Sequence, residues 1–293
     1  MPTKQFLSMG PIGRGIFRAR AVVTFAGEFL GSTSKLVPVP SKSDPFRMVG
    51  KYQIAGEWMD CRPNPPAGGE VLGLIQVRNG EGRLPRALRS LSEACDAIIG
   101  LDDGSSDGTY EVLRSFPKVV LVIRRARTPT PWCHPENETR NLLLRAADVR
   151  RPAYCVSLDD DEEFENPGMV RDLLLKLGPP GVRFGVAFMW DSPDTVLTRP
   201  LGGGPRLVRA RAFRWHPGSV VKSAKLHCGS VPYGNGYWDL PQVRILHWGT
   251  LRREDRVRKL EMYARMDPGG RIQGYPYFYL TGKGVFEKVP SRA

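Results

Sequence analysis

Five consecutive acids, Asp159-Asp160-Asp161-Glu162-Glu163, stand directly behind the apolar run Ala153-Tyr154-Cys155-Val156-Ser157-Leu158. An acidic run is most often a solvated face, but one that closes a short β-like run lies at a strand's carboxyl edge, where open α/β sheets bind their ligands. Carboxylates crowded in this way repel one another, and the simplest relief is a divalent cation held by their oxygens. Metal site and solvated turn both fit these residues taken alone. Other polar groups end β-like runs too. Asn79 follows Val71–Val77, and Asp102-Asp103-Gly104-Ser105-Ser106-Asp107-Gly108-Thr109 follows the run from Asp96 to Leu101. Thr139-Arg140-Asn141 opens a helical pattern.

The elements that must carry these groups are readable from residue 69 onward. Val71-Leu72-Gly73-Leu74-Ile75-Gln76-Val77 is the near-continuous apolar run of a strand buried on both faces. Leu84, Leu88 and Leu91 then place one apolar stripe on a helix. A second strand ends at Asp102-Asp103, with Asp107 as cap of a helix reaching about Phe116. A third, Val119–Ile123, leads into a basic, Pro-rich loop, 124–135. A helix from about Glu136 to Val149 feeds the strand that ends at Asp159. Alternating strands and helices predict an α/β fold with a mostly parallel, mixed sheet, and the ends at Asn79, Asp103 and Asp159 fall on one edge. Residues 1–68 read as an extension with some β content, closed by the linker Pro63-Asn64-Pro65-Pro66-Ala67-Gly68-Gly69.

Residues 71 to about 165 resemble the nucleotide-binding half of the family 2, GT-A-fold glycosyltransferases. Four motifs carry the resemblance, in the expected order: a strand ending near Asn79, a strand ending in Asp-Asp-Gly-Ser-x-Asp-Gly-Thr, the Arg140-Asn141 helix start, and the DxD-type run at Asp159. The chain departs in having Asn79-Gly80-Glu81 where Asn-Glu-Glu is commoner. The resemblance implies a nucleotide-sugar donor, with a UDP-sugar favoured, and transfer to an acceptor hydroxyl, with inversion. It implies that residues 69–165 bind the donor and residues 166–293 the acceptor. Gln76, Asn79 and Asp103 would line the nucleoside pocket, Asp103 accepting from a base N–H, with Arg140 near the diphosphate. Asp102, and Asp160 at the variable middle position, join that nucleotide-sugar set. Asp102 reads equally well as part of a polar turn, whereas Asp103 is freed for function because Asp107 already serves as the cap. Asp159 and Asp161 would face a metal, and hard oxygen ligands suit Mn²⁺ or Mg²⁺. Val243-Arg244-Ile245-Leu246-His247-Trp248-Gly249 resembles the family's late strand ending in His-aromatic-Gly, which adds His247 as a metal or diphosphate contact.

An inverting transfer needs a general base, and a carboxylate is the usual choice. Some relatives carry a His-Glu pair where this chain has His227-Cys228, so the base does not transfer from that position. Asp191, Asp194 and Asp239 remain. Asp191 is preferred because it follows a strand directly and Trp190 beside it suits stacking on a sugar ring, with Asp239 as the alternative. A turn-capping role before Ser192-Pro193 fits Asp191 equally.

Composition bounds the partners. The 293 residues carry a formal net charge of +13, which draws anions: nucleotides, acidic glycans, nucleic acid or phospholipid surfaces. An anionic or glycan acceptor is expected, and glycosyl transfer onto nucleic acid or another polyanion stays open. No nucleic-acid-binding motif is present. A nucleotidyltransferase with a similar sheet is disfavoured, since Arg78-Asn79-Gly80-Glu81-Gly82 lacks the Gly-rich basic loop expected after the first strand. Five cysteines without CxxC spacing indicate neither a disulfide framework nor a zinc site and suit a reducing, cytoplasmic compartment. No window is apolar enough to span a bilayer, so any membrane contact is expected to be peripheral.

Overall fold

The computed structural model describes residues 69–127, 136–202, 206–222, 229–232, 236–267 and 278–289. It also gives the backbone of four short strands before them: Val23–Thr24 (β1), Lys35–Leu36 (β2), Gly50–Ile54 (β3) and Glu57–Cys61 (β4). The linker before Gly69, most of the Pro-rich loop and His227-Cys228 lie outside the described residues.

Val71–Val77 (β5) is buried along nearly its whole length, as a strand covered on both faces requires. Leu84–Ala94 (α1) lays Leu84, Leu88 and Leu91 onto the sheet with no exposed surface, each contributing about 1.5–3 kcal/mol by burial. Ala97–Asp102 (β6) and Thr109–Ser115 (α2) follow. Asp107 accepts from the Thr109 N–H at 3.1 Å, so it serves the first turn of α2 from two residues upstream. Val119–Arg124 (β7), Glu136–Arg150 (α3) and Tyr154–Asp159 (β8) complete the parallel set, with β5 paired to β6 and β8, and β6 to β7. Core residues of α1 and α2 pack on one face of the sheet, and Leu142, Leu143 and Ala147 of α3 on the other.

The chain moves from β5 through β6 to β7 in one direction and then returns to place β8 on the other side of β5. The order therefore reverses between β5 and β8. Loops part at such a reversal and leave a crevice at the strands' carboxyl ends. Gln76 pairs with Asp159 across it.

Beyond β8 come Glu162–Phe164 (β9), Gly168–Leu177 (α4), Gly181–Trp190 (β10), Ser192–Pro200 (β11), Val208–Arg214 (β12) and Trp238–His247 (β13). A 3₁₀ turn at Trp248–Thr250 leads to Arg253–Met266 (α5), Phe278–Thr281 (α6) and Gly284–Lys288 (β14). The sheet runs β14-β11-β10-β12-β8-β5-β6-β7-β4-β3, with β13 against β10 and β9. Parallel pairing is concentrated in β5 to β8 and recurs in β10 with β13. The other pairs are antiparallel, so the sheet is mixed. Antiparallel β12 sits directly beside β8 and aims its side chains at the acidic run.

Candidate functional site

Asp159 ends β8 between two guanidiniums. Its Oδ1 accepts from Arg140 at 3.0 Å and its Oδ2 from Arg211 of β12 at 2.7 Å. Both arginines are buried. Arg211 also donates to Glu162 Oε1 at 2.6 Å, and the Asp159 N–H donates to Glu162 Oε2 at 3.1 Å. Burial acts to raise the Asp159 carboxyl, but Arg211 and Arg140 prevail and hold it well below the usual carboxylate range. Asp160 turns the other way and takes a bond from Arg83 Nη2 at 2.6 Å. Asp161 Oδ2 lies 3.2 Å from Lys259 Nζ and 3.9 Å from His247 Nδ1.

Each aspartate of the run therefore has a basic partner. Basic side chains thus take up part of the relief for which a divalent cation is expected, while burial and the neighbouring Asp161 still push the Asp160 carboxyl up to about 7. Arg140 and Arg211 on Asp159, Arg83 on Asp160 and Lys259 on Asp161 supply the counter-charge from the chain itself.

Burial drives the His247 imidazole down to about 3, so at neutral pH it carries no charge. The Gly249 N–H donates to its Nδ1 at 3.2 Å, which leaves the proton of the neutral ring on Nε2. For Asp161, burial acts upward while His247 and Lys259 act downward, and the carboxyl settles at about 2. With the imidazole neutral, the cation facing Asp161 is Lys259.

This donor set fits a divalent ion in part. Asp159 has both oxygens committed to guanidiniums, and among the described residues no three His, Cys, Asp or Glu side chains are grouped to hold an ion. Asp161 and His247 are the pair that remains. Mg²⁺-type sites commonly use one or two protein carboxylates completed by substrate phosphates, so a closed protein cage is not required.

The nucleoside side of the crevice shows acceptors without donors. Gln76 Oε1 and Asp103 Oδ1 are buried and have no hydrogen-bond partner among the described residues. Arg125 Nη1 stands 3.8 Å from Asp103 but donates to Thr139 Oγ1 at 2.9 Å. A buried acceptor left unpaired costs about 1–3 kcal/mol, which a ligand N–H can recover.

The structure separates the remaining expected residues. Asp102 is fully buried, with Oδ1 accepting from the Ser105 N–H at 2.9 Å, so one oxygen builds the turn, while Oδ2 lies 3.5 Å from Arg124 Nε and has no hydrogen-bond partner among the described residues. Asn79, in the left-handed region at φ 49°, accepts from the Ser106 N–H at 2.8 Å and ties together the loops after β5 and β6. Gly80 explains the departure from Asn-Glu-Glu: a Cβ there would crowd Asp160 Oδ2 at 2.7 Å.

Asp191 forms the apex of the β10–β11 hairpin at φ 56°, where Trp190 pairs with Ser192. Its Oδ1 accepts from Arg256 Nη2 at 2.7 Å, and the carboxylate side chain is 60% exposed. Phe188 pairs with His247, so the apex three residues on lies at the His247 end of the sheet. Asp239 sits at the other end. It pairs with Arg183 near the start of β13, eight residues before His247 and about 25 Å away along the strand, which takes the alternative base out of the crevice. Asp194 is engaged by Lys288 Nζ at 2.8 Å.

The family model for Glycosyl transferase family 2 matches residues 74–202, the span that builds the crevice. Residues 74–202 are therefore similar to the family 2 glycosyltransferase domain. Uncharacterized proteins of Mycobacterium tuberculosis and Mycobacterium bovis are 30% identical over 217 residues, covering 69% of this chain and 52% of their own length. The chain thus spans about half the length of these relatives. The lipopolysaccharide core biosynthesis glycosyltransferase LpsC of Rhizobium meliloti is 25% identical over 207 residues, covering 69% of this chain and 72% of LpsC. Among solved structures, residues 1–349 of TarS from S. aureus superpose with a TM-score of 0.41 at 14% identity, covering 67% of this chain and 65% of that one.

Several residues of this domain and its flanks were not singled out by motif: Arg83, Glu162, Arg209, Arg211 and Lys259. A signal for two of them was present. Val208-Arg209-Ala210-Arg211-Ala212 alternates basic and small residues with the period of a strand, placing two guanidiniums on one face of a chain that has five acids to neutralise.

Proposed function

We propose that the chain transfers a sugar from a nucleotide-sugar donor, a UDP-sugar in particular, to an acceptor hydroxyl with inversion at the anomeric carbon. The observation that carries this reading is the pair of buried, unpartnered acceptors, Gln76 Oε1 and Asp103 Oδ1, at the reversal of strand order in a domain similar to that of family 2 glycosyltransferases. A uracil ring presents one imide N–H, which Asp103 is suited to accept. Arg140 and Arg211, buried and oriented by Asp159, would offer guanidinium N–H donors to the diphosphate as the nucleoside diphosphate departs, their charge being balanced by Asp159, Glu136 and Glu162. Asp161 and His247 would hold Mn²⁺ or Mg²⁺, which supplies Lewis-acid stabilisation to the leaving phosphate oxygens when bound.

Asp191 takes the role of general base. Arg256 fixes one of its oxygens, and the exposed hairpin apex gives an acceptor hydroxyl access to the carboxylate. In this reading residues 69–165 serve the donor and 166–293 the acceptor. A glycan or anionic acceptor agrees with the net charge of +13 and with the name of LpsC. No helix among the described residues is long and apolar enough to cross a membrane. The buried free thiols of Cys95 and Cys155 are compatible with the reducing, cytoplasmic setting proposed for the reaction.

Calorimetry with UDP, with and without Mn²⁺, tests the reading. Asp103→Ala is expected to weaken UDP about tenfold under both conditions, because the lost contact is to the base. Asp161→Ala should lose only the Mn²⁺-dependent part. UDP binding by Asp103→Ala equal to wild type would overturn the donor assignment.

A further inference from the structure

Three elements converge at the end of the acidic run. The loop between β8 and β9 brings Asp161, the turn after β13 brings His247 and Gly249, and α5 brings Lys259. The Trp248 N–H donates to the Asp161 carbonyl at 2.8 Å, which fixes the turn against the loop. Gly249 has no side chain at the meeting point: a Cβ there would overlap Asp161 Oδ2 and Lys259 Nζ and crowd His247 Cε1 at 2.9 Å. The Asp161 and Lys259 side chains are only 15% and 26% exposed, so their pairing is shielded from water. At this point the carboxylate of Asp161 already faces the ammonium of Lys259 at 3.2 Å. Asp159 and Asp160 are engaged by Arg140, Arg211 and Arg83.

We propose that Lys259 is a built-in cation that competes with the divalent ion for Asp161. The inference rests on the Asp161–His247 metal reading above and adds a control on it. An ion arriving without nucleotide must displace an ammonium already 3.2 Å from the carboxylate. Once displaced, the ammonium stays tethered nearby and repels the ion. A nucleoside diphosphate changes the balance, because its phosphate oxygens can take Lys259 on its flexible stem while completing the ion's shell. Lys259 thereby makes metal binding weak in the empty enzyme and strong in the nucleotide complex, a coupling between the two ligands carried by one side chain.

Titration of the full chain with Mn²⁺ alone, without nucleotide and at constant ionic strength, tests this directly. Lys259→Met and Lys259→Gln each remove the charge and keep a straight-chain residue that a helix tolerates. Both are expected to bind Mn²⁺ at least tenfold more tightly than wild type. Lys259→Arg, which keeps the charge, should stay within about threefold of wild type, and Asp161→Asn added to Lys259→Met should abolish the gain. Because no nucleotide or sugar is present, the outcome is independent of the Asp103→Ala result that judges the donor assignment. Neutral variants that bind Mn²⁺ no better than wild type, or a gain that survives Asp161→Asn, would overturn the proposal.

Discussion

Gly249 sets how closely a carboxylate, an ammonium and an imidazole can approach one another. A methyl group at this position overlaps Asp161 Oδ2 and Lys259 Nζ and crowds His247 Cε1; the lysine end can swing aside on its stem, but the carboxylate must turn away from the imidazole. Gly249→Ala is therefore expected to cost about 1–3 kcal/mol of stability, as overpacking does, and to weaken Mn²⁺-supported UDP binding at least tenfold. Urea unfolding and calorimetry measure the two effects. UDP affinity in Mn²⁺ unchanged from wild type would show that the close approach has no part in binding. The sequence pointed to His247 through the His-aromatic-Gly pattern, yet why glycine ends that pattern is visible only when α5 and the acidic loop are brought against it. The same holds at Asp102. From the chain alone it is one of two adjacent acids, and only its burial under the Ser105 turn separates it from Asp103.

At the level of elements, the donor half was legible because its strands are buried on both faces and so write themselves as apolar runs closed by polar residues. Val71–Val77 matches its strand to the residue, and the run Ala153–Leu158 matches Tyr154–Asp159 to within one residue. The acceptor half was less legible because its strands are amphipathic or basic. Residues 208–214 carry three arginines, and nothing local says that two of them turn inward to Asp159 and Glu162. Likewise Asp239 stood apart as a loop acid, whereas β13 begins at Trp238 and carries Asp239 to the far end of the sheet. The hairpin at Asp191 gives the sharper test. Its apex needs a left-handed backbone, which Asp and Asn both tolerate better than most residues, so Asp191→Asn removes the charge without straining the turn. Donor affinity should stay within about twofold of wild type while transfer falls about 10²-fold or more, the loss expected for a general base. Asp239→Asn should leave both near wild type, and a silent Asp191→Asn would return the search to another carboxylate.

For the whole molecule, the balance between a net charge of +13 and a buried neutral imidazole fixes the response to acid. His247 is held down to about 3 in the fold, against 6.5 for the free side chain, because burial penalises its charged form. Between those values the unfolded chain binds a proton at this residue that the folded chain does not, so stability rises with pH across the window and is fully present above 6.5. Each pH unit below 6.5 can remove up to about 1.4 kcal/mol through this group. Asp161, held at about 2, acts in the same direction at lower pH, losing its contribution as the carboxyl protonates below 3.8. Protonating carboxylates also deepens the positive charge and its self-repulsion. Asp160 opposes this, because burial and Asp161 push its carboxyl up to about 7, so that between 3.8 and 7 the fold holds a proton there that the unfolded chain has released. The part due to His247 is therefore read as a difference: between pH 6.5 and 5, wild type should lose about 1–2 kcal/mol of unfolding free energy relative to His247→Gln in urea titrations. His247→Gln is neutral at every pH and keeps an acceptor for the Gly249 N–H. A variant that loses stability as steeply as wild type over this interval would show that the proton is taken up elsewhere, at one of the three other histidines or at a carboxylate.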